Sequence, residues 1–308
     1  MSNIEVMVVL FAIVVVGFVA GKRGYMGGEF DRRLSSLVID ITCPALILSS
    51  TMGGTLPDRR LILPLLAISL ITYVLLALAA VTLPRLLTKK EDDRGVVGFA
   101  LMFGNVGFIG YPIVASIFGH EAVFYAAVLN VVNTFAVFTV GTMLLTSRNQ
   151  GLPHSRRGWV KLLLSTPMLA AYLAMLIVSL NIDNIPSVVS QPLTLIGNIT
   201  VPAALLIIGS SMSRLSLRTM MGSPTVYATT LFRLILLPLA LLVLFRLLDF
   251  DMLAVNINTV VIAMPVATYG TILCLKMGRD ATLITELTFI STLISIITIP
   301  LMAMLLNV

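Results

Sequence analysis

Charge is scarce in this chain. Asp, Glu, Lys and Arg make up 11% of its 308 residues, against 58% hydrophobic. A soluble domain carries roughly 25% charged residues, so a water-exposed globular fold is excluded and the chain belongs in a bilayer. Its mean hydropathy of +1.05 agrees. Cysteine is nearly absent: Cys43 and Cys274 both fall inside apolar segments, which argues against a structural disulfide. The two histidines, His120 and His154, lie in connections. No paired Asp/His/Glu metal set or nucleophile motif accompanies them, which weighs against an intramembrane enzyme. Paired acidic residues deep in an apolar run are missing too, which weakens a proton-antiporter reading. Long polar stretches are also missing. The longest connection, about residues 147–158, is too short for the output domain of a sensor.

What is present is a succession of apolar runs. A membrane span needs about 20 mostly apolar residues. Ten runs qualify: about 4–20, 34–52, 61–84, 95–118, 121–146, 159–180, 186–212, 224–248, 253–276 and 281–306. The first carries Glu5 rather than a basic leader segment and reads as a retained span, not a signal peptide. The formal charge of +6 invites a nucleic-acid partner, but the basic residues sit in short loops between spans, so none is expected. Sixteen of the 20 Lys and Arg residues lie in connections on one side of the membrane. Arg59, Arg60 and Arg246 lie on the other, and Arg233 falls inside span eight. Positive loops stay in the cytoplasm, which places both termini outside.

The chain repeats itself. Ile41-Thr42-Cys43-Pro44-Ala45-Leu46 is echoed by Ile199-Thr200-Val201-Pro202-Ala203-Ala204 at an offset of 158. Phe118-Gly119-His120-Glu121-Ala122 is echoed by Met277-Gly278-Arg279-Asp280-Ala281 at 159. Two halves follow, residues 1–150 and 151–308, within one membrane domain. Five spans per half is an odd number, so the second half enters the membrane upside down. The expected fold is an all-α membrane protein of ten transmembrane helices in an inverted 5+5 repeat, with the site where the repeats meet.

Span four holds Gly104-Asn105-Val106-Gly107-Phe108-Ile109-Gly110-Tyr111-Pro112, and span nine holds Met264-Pro265-Val266-Ala267-Thr268-Tyr269-Gly270. Glycine permits unwinding, and proline removes a donor and clashes with the preceding turn. Helices four and nine are therefore expected to be interrupted. Each break exposes a half-helix N-terminus with partial positive charge at mid-membrane, suited to a carboxylate. The competing reading is that the glycines pack helices and the prolines kink them. The same choice attaches to Pro44 and Pro202: broken helices lining the path, or structural kinks. Asn130 and Asn133 share a face of span five, and Asn133 aligns with Thr292 in span ten, near Ser291 and Ser295. Such residues bind substrate or join helices. Asp40, Arg233 and Glu286 are the charges within spans, each a functional candidate because insertion is costly; Glu286 is one candidate counter-ion for Arg233 or a residue that snorkels, and Asp40 falls close to the cytoplasmic interface.

At these residues the chain resembles the auxin efflux carrier family, in its bacterial branch. The resemblance rests on Gly104 to Pro112, Pro44-Ala45-Leu46, Val201-Pro202-Ala203 running into Gly209, and Ser291 to Ser295 followed by Pro300. It implies a fold related to bile-acid symporters and sodium/proton antiporters, with helices four and nine crossing near the midplane. Helices one, two, six and seven would form a scaffold, and three to five with eight to ten a transport domain moving like an elevator. Bacterial members are usually described as carriers of small organic acids such as malate or malonate, in the cytoplasmic (inner) membrane. Plant members place Asn and Pro side by side at the first crossover and a charged pair in helix three. Here Val106 follows Asn105, and residues 61–83 offer only Ser69, Thr72 and Tyr73.

The expected activity is carriage of small carboxylates, bound by Asn105, Gly107, Gly110, Pro112, Asn133, Pro265, Thr268 and Tyr269, with Pro44 and Pro202 as hinges. No cofactor is expected. A coupling ion, Na+ or H+, would be the only addition, with sodium held near Asn105, Asn133 and Thr292. A homodimer is an admissible assembly. The rivals are a sodium-coupled bile-acid-type symporter, a membrane sensor and a channel.

Overall fold

The structure, a computed structural model, describes residues 3–52, 57–146, 164–182, 185–214, 223–276 and 280–306. Several expectations fall outside these residues: His154, the connection at 147–158, the boundary between the halves, the start of the run at 159–180, and Met277-Gly278-Arg279 of the second echo. Among the described residues the secondary structure is helical apart from one isolated bridge. The first part comprises α1 (Asn3–Lys22), α2 (Gly28–Leu37), α3 (Cys43–Ser49), α4 (Ile62–Thr82), α5 (Pro84–Leu87), α6 (Arg94–Met102), α7 (Tyr111–Phe118), α8 (Ala122–Ala136) and α9 (Thr142–Leu145). There follow α10 (Thr166–Ser179), α11 (Ser187–Gly197), α12 (Thr200–Ser213), α13 (Pro224–Leu231), α14 (Leu237–Leu247), α15 (Met252–Ile262), α16 (Tyr269–Lys276) and α17 (Thr282–Leu305).

Many of these helices abut through a widened turn, and proline places most of them. Wide π-type turns cover Val38–Thr42, Val106–Gly110 and Phe232–Leu236, joining α2 to α3, leading into α7, and joining α13 to α14. Each turn is centred four residues before a proline, at Asp40, Phe108 and Leu234, ahead of Pro44, Pro112 and Pro238. A proline ring clashes with the carbonyl four residues back and has no N–H to offer it, so the helix opens there. A fourth such turn, Val137–Gly141, has no proline; it joins α8 to α9.

Among the described residues four helical stretches are long and apolar enough to cross a membrane: Arg59–Leu87, Ser187–Ser210, Pro224–Leu247 and Thr282–Leu305. A bent pair built on α8 and α9 makes up to five. Ala12–Lys22, Thr166–Ser179 and Met252–Ile262 are shorter apolar helices. The outer face of α4 explains its solvent. Leu63, Leu70, Val74, Leu78 and Val81 are each more than half exposed, while Ser69 and Thr72 are fully buried. Apolar residues outward and hydroxyls inward suit hydrocarbon, not water.

Packing sorts the helices into two groups. α1 lies along α12, while α10 and α11 pack on α3. The α1–α12 contact is backbone to backbone, because Gly17 faces the main chain of Leu206 and Gly209 faces that of Val14, with no room for a Cβ at either. In the second group α4 packs on α6 and α8, α13 on α17, and α14 on α15; α8 meets α15 and α6 meets α17. The groups touch where α10 meets α8 and α1 meets α17. Thr42 and Thr200, second residues of the two Ile-Thr-x-Pro-Ala echoes, meet directly: the Thr200 hydroxyl donates to the Thr42 hydroxyl at 2.9 Å.

Candidate binding site

α6 ends at Met102 and α15 at Ile262, and the two chains then run past each other unwound. Gly104 and Val266 form an antiparallel bridge. The Asn105 N–H donates to the Pro265 carbonyl at 2.7 Å, and the Ala267 N–H donates to the Phe103 carbonyl at 3.1 Å. The Val266 N–H finds the Ser291 hydroxyl on α17 at 3.0 Å. Main-chain groups freed by the breaks are thus satisfied within the protein, as a low-dielectric interior demands. The breaks expected in spans four and nine are both present, and they cross each other.

Downstream, each chain becomes helical again. The Asn105 carbonyl accepts from the N–H groups of Ile109 (3.1 Å) and Gly110 (3.0 Å), starting the π turn that runs into α7. On the other chain α16 begins at Tyr269. The leading N–H groups of such segments have no intrahelical partner and carry partial positive charge. The Asn105 side chain is buried, and its amide makes no hydrogen bond among the described residues. A Cβ on Gly107 would meet nothing, so space opens beside the chain there. Its carbonyl accepts a weak bond from the Cys43 thiol at 3.8 Å.

Arg233 holds the crossing from behind. The residue is 1% exposed. Its Nε donates to the Met264 carbonyl at 3.1 Å, and its Nη1 donates to the carbonyls of Leu101 (3.0 Å) and Met102 (3.3 Å). Nη2 lies against Gly104, where any Cβ would overlap it. Glu286, the candidate counter-ion, is not the partner: among the described residues no carboxylate pairs with the guanidinium, and main-chain carbonyls of both crossing chains take that place. The sequence marked Arg233 only as an intramembrane charge; its role as the crossing's clamp was missed.

The remaining expected residues are dispersed. Gly110 and Pro112 are buried in the turn and helix after the crossing, and Gly110 faces Met264. Asn133 is buried, its Nδ2 donates to Asn130 Oδ1 at 2.7 Å, and its own Oδ1 has no hydrogen-bond partner among the described residues. Thr268 is exposed and Tyr269 half-buried. Pro44 is half-buried and Pro202 exposed. Asp40 is exposed and accepts a long bond from Thr166 at 3.4 Å. A cavity of about 60 Å³ lies next to the crossing, between α1, α12, α17 and the turn into α7. Thr292 and Ser295 are its two hydroxyls; Ile109, Ile113, Leu205 and Ile299 are among its aliphatic walls. Of the proposed sodium ligands it takes in Thr292 but neither Asn105 nor Asn133.

Related proteins of nearly the same length carry transporter descriptions. An uncharacterized transporter from Methanocaldococcus jannaschii is 25% identical over 306 residues, covering 98% of both chains. An uncharacterized transporter from Methanothermobacter thermautotrophicus is 26% identical over 309 residues, covering 98% of this chain and 97% of the relative. The family described as membrane transport protein matches residues 2–303, nearly the whole length, and the chain belongs to that family.

Proposed function

We propose that the chain is a secondary or facilitative carrier of small organic anions, mono- or dicarboxylates such as malate or malonate. The observation that carries this reading is the crossing itself. Two half-helix N-termini and the side chain of Asn105, 7% exposed, converge where the main chains pair. A carboxylate placed there accepts from main-chain N–H groups without needing a dedicated arginine in contact. The widened turn at Gly107 leaves the room.

The full ten-span, inverted 5+5 arrangement belongs to this proposal. Exchange of the halves matches the packing pairs to one another. α4 on α8 answers to α13 on α17, α8 on α15 to α17 on α6, and α10 on α8 to α1 on α17. The contact between Thr42 and Thr200 falls at equivalent positions of the two echoes, as it does near a two-fold axis. The group containing α1, α3, α10 and α12 is the scaffold, and the group around the crossing moves against it in an elevator-like cycle. Sodium as coupling ion would find an acceptor in the orphaned Asn133 Oδ1. The cytoplasmic membrane of a bacterium, with both termini outside, is the setting that loop charge and resemblance favour.

The test is thermal unfolding of the purified protein against a panel of mono- and dicarboxylates, with and without sodium. A ligand at 100 times its dissociation constant stabilises by about 2.7 kcal/mol. One acid should raise the melting temperature. A shift that requires sodium assigns coupling and favours the symporter reading. No shift with any acid, in either salt, removes the carboxylate carrier and returns the sensor and channel readings.

A further inference from the structure

Four helix ends meet at the crossing, and their charges should cancel. α6 and α15 arrive with their carbonyl ends, each equivalent to about −0.5 charge. The segments leading into α7 and α16 depart with their N–H ends, each about +0.5. The pairing of Asn105 with Pro265 and of Ala267 with Phe103 uses two carbonyls and two N–H groups, so it leaves the balance at zero. Left so, the crossing would have no preference between an anion and a cation.

Arg233 breaks the balance. Its three hydrogen bonds all go to the carbonyl ends, at Leu101 and Met102, the last residues of α6, and at Met264 just after α15. None goes to a carboxylate, and among the described residues none pairs with it. Arginine stays protonated in proteins, so this is a fixed charge. Being 1% exposed, the guanidinium is beyond the reach of bulk water, and its field is weakly screened. Nη2 has no hydrogen-bond partner among the described residues and lies against Gly104, one residue from Asn105.

We propose that Arg233 sets the sign of the cargo: by masking the two carbonyl ends it leaves the crossing with a net charge of about +1 and makes it a site for anions. It acts as a selectivity residue through its field, without touching the cargo. This rests on the carboxylate-carrier reading and adds what enforces it. A merely structural clamp would serve equally well for a neutral or cationic cargo.

Three variants of the full-length protein separate the roles. Arg233→Lys keeps the charge and gives up the fork. Arg233→Gln keeps a donor and gives up the charge. Thr230→Glu, one turn earlier on the same helix, leaves the arginine and adds a counter-ion beside it. The probe is whichever of malonate, malate, acetate and benzoate most stabilises the wild type against heat, titrated alongside malonamide as an uncharged control. Arg233→Lys should hold the wild-type dissociation constant within a few fold. Arg233→Gln and Thr230→Glu should weaken it at least about tenfold, from loss of a unit charge a few Å away at an effective dielectric of about 20. Malonamide should shift none of the proteins. If Arg233→Gln fails to fold, Thr230→Glu carries the test. Wild-type affinity in either folded neutralised variant overturns the inference and leaves the carboxylate carrier standing. A wild type that responds to sodium and to none of the acids overturns the carrier reading, and the sign of charge argued here with it.

Discussion

The hydroxyl of Thr200 donates to the hydroxyl of Thr42 at 2.9 Å, across 158 residues of sequence. Thr42 in turn donates to the Val38 carbonyl at 3.4 Å, inside the π turn that precedes Pro44. Both residues are fully buried. A polar chain thus joins α12 to the widened turn between α2 and α3, and the same turn packs against the one that follows the helix crossing.

Thr42→Val and Thr200→Val keep the shape and remove this bond. Interhelical hydrogen bonds in membranes contribute about 0.6 kcal/mol each on average. The double variant should therefore be less destabilised than the sum of the singles by about that amount. The check is a thermodynamic cycle on all four proteins; strict additivity would mean that the two hydroxyls are not coupled.

Two glycines of one motif should behave in opposite ways. At Gly104 a methyl group would strike Arg233 and the Met264 carbonyl, whereas at Gly107 it would meet nothing. Gly104→Ala should lose about 1–3 kcal/mol through overpacking. Gly107→Ala should melt like the wild type yet transport poorly, because the methyl fills the space left for cargo. Melting curves and uptake into proteoliposomes, run on both variants, distinguish these outcomes.

Asn105 joins the crossing through its main chain alone: its N–H meets Pro265 and its carbonyl meets Ile109 and Gly110. Asn105→Ala leaves all of these bonds in place. The variant should fold normally and lose uptake. Transport at the wild-type rate would remove the side-chain amide from the site.

His120 sits in the turn before α8, where its Nε2 lies 2.9 Å from the Ser49 hydroxyl. Burial lowers its pKa below 6.5, outweighing the Ser49 contact and the nearby Glu121, which both raise it. A histidine held below its unfolded value takes up its proton less readily when folded, so the folded state is favoured above about pH 6.5 and loses that advantage as the pH falls. Melting temperature should decline on acidification through that range, and His120→Gln should flatten the decline. An unchanged profile in the variant would place the sensitivity elsewhere.

Proline and glycine made much of this legible. Pro112 and Pro265, with the glycines around them, mark the two breaks, and Pro44 marks a further widened turn; the one ahead of Pro238 follows the same geometry of a missing donor but was not anticipated. The spacing of Asn130 and Asn133 likewise announced one face, and the two amides do bond. The register of the crossing was not legible. That Asn105 should meet Pro265, and not a neighbour, depends on how two helices approach across more than a hundred residues. Arg233 was opaque for the same reason. A lone charge in an apolar run suggests a carboxylate partner, yet its partners are carbonyls, and every residue has one. The cavity beside α17 needs four helices to exist at all.

Because the joint at residues 103–105 and 265–267 is fastened by main-chain atoms, it has no vocabulary of its own. The hydrogen bonds that fasten the two strands belong to no particular side chain, although Gly104 has no room for one. A protein built this way can change what it carries by small edits around an unchanging knot, so diversification of cargo need not begin with loss of the fold.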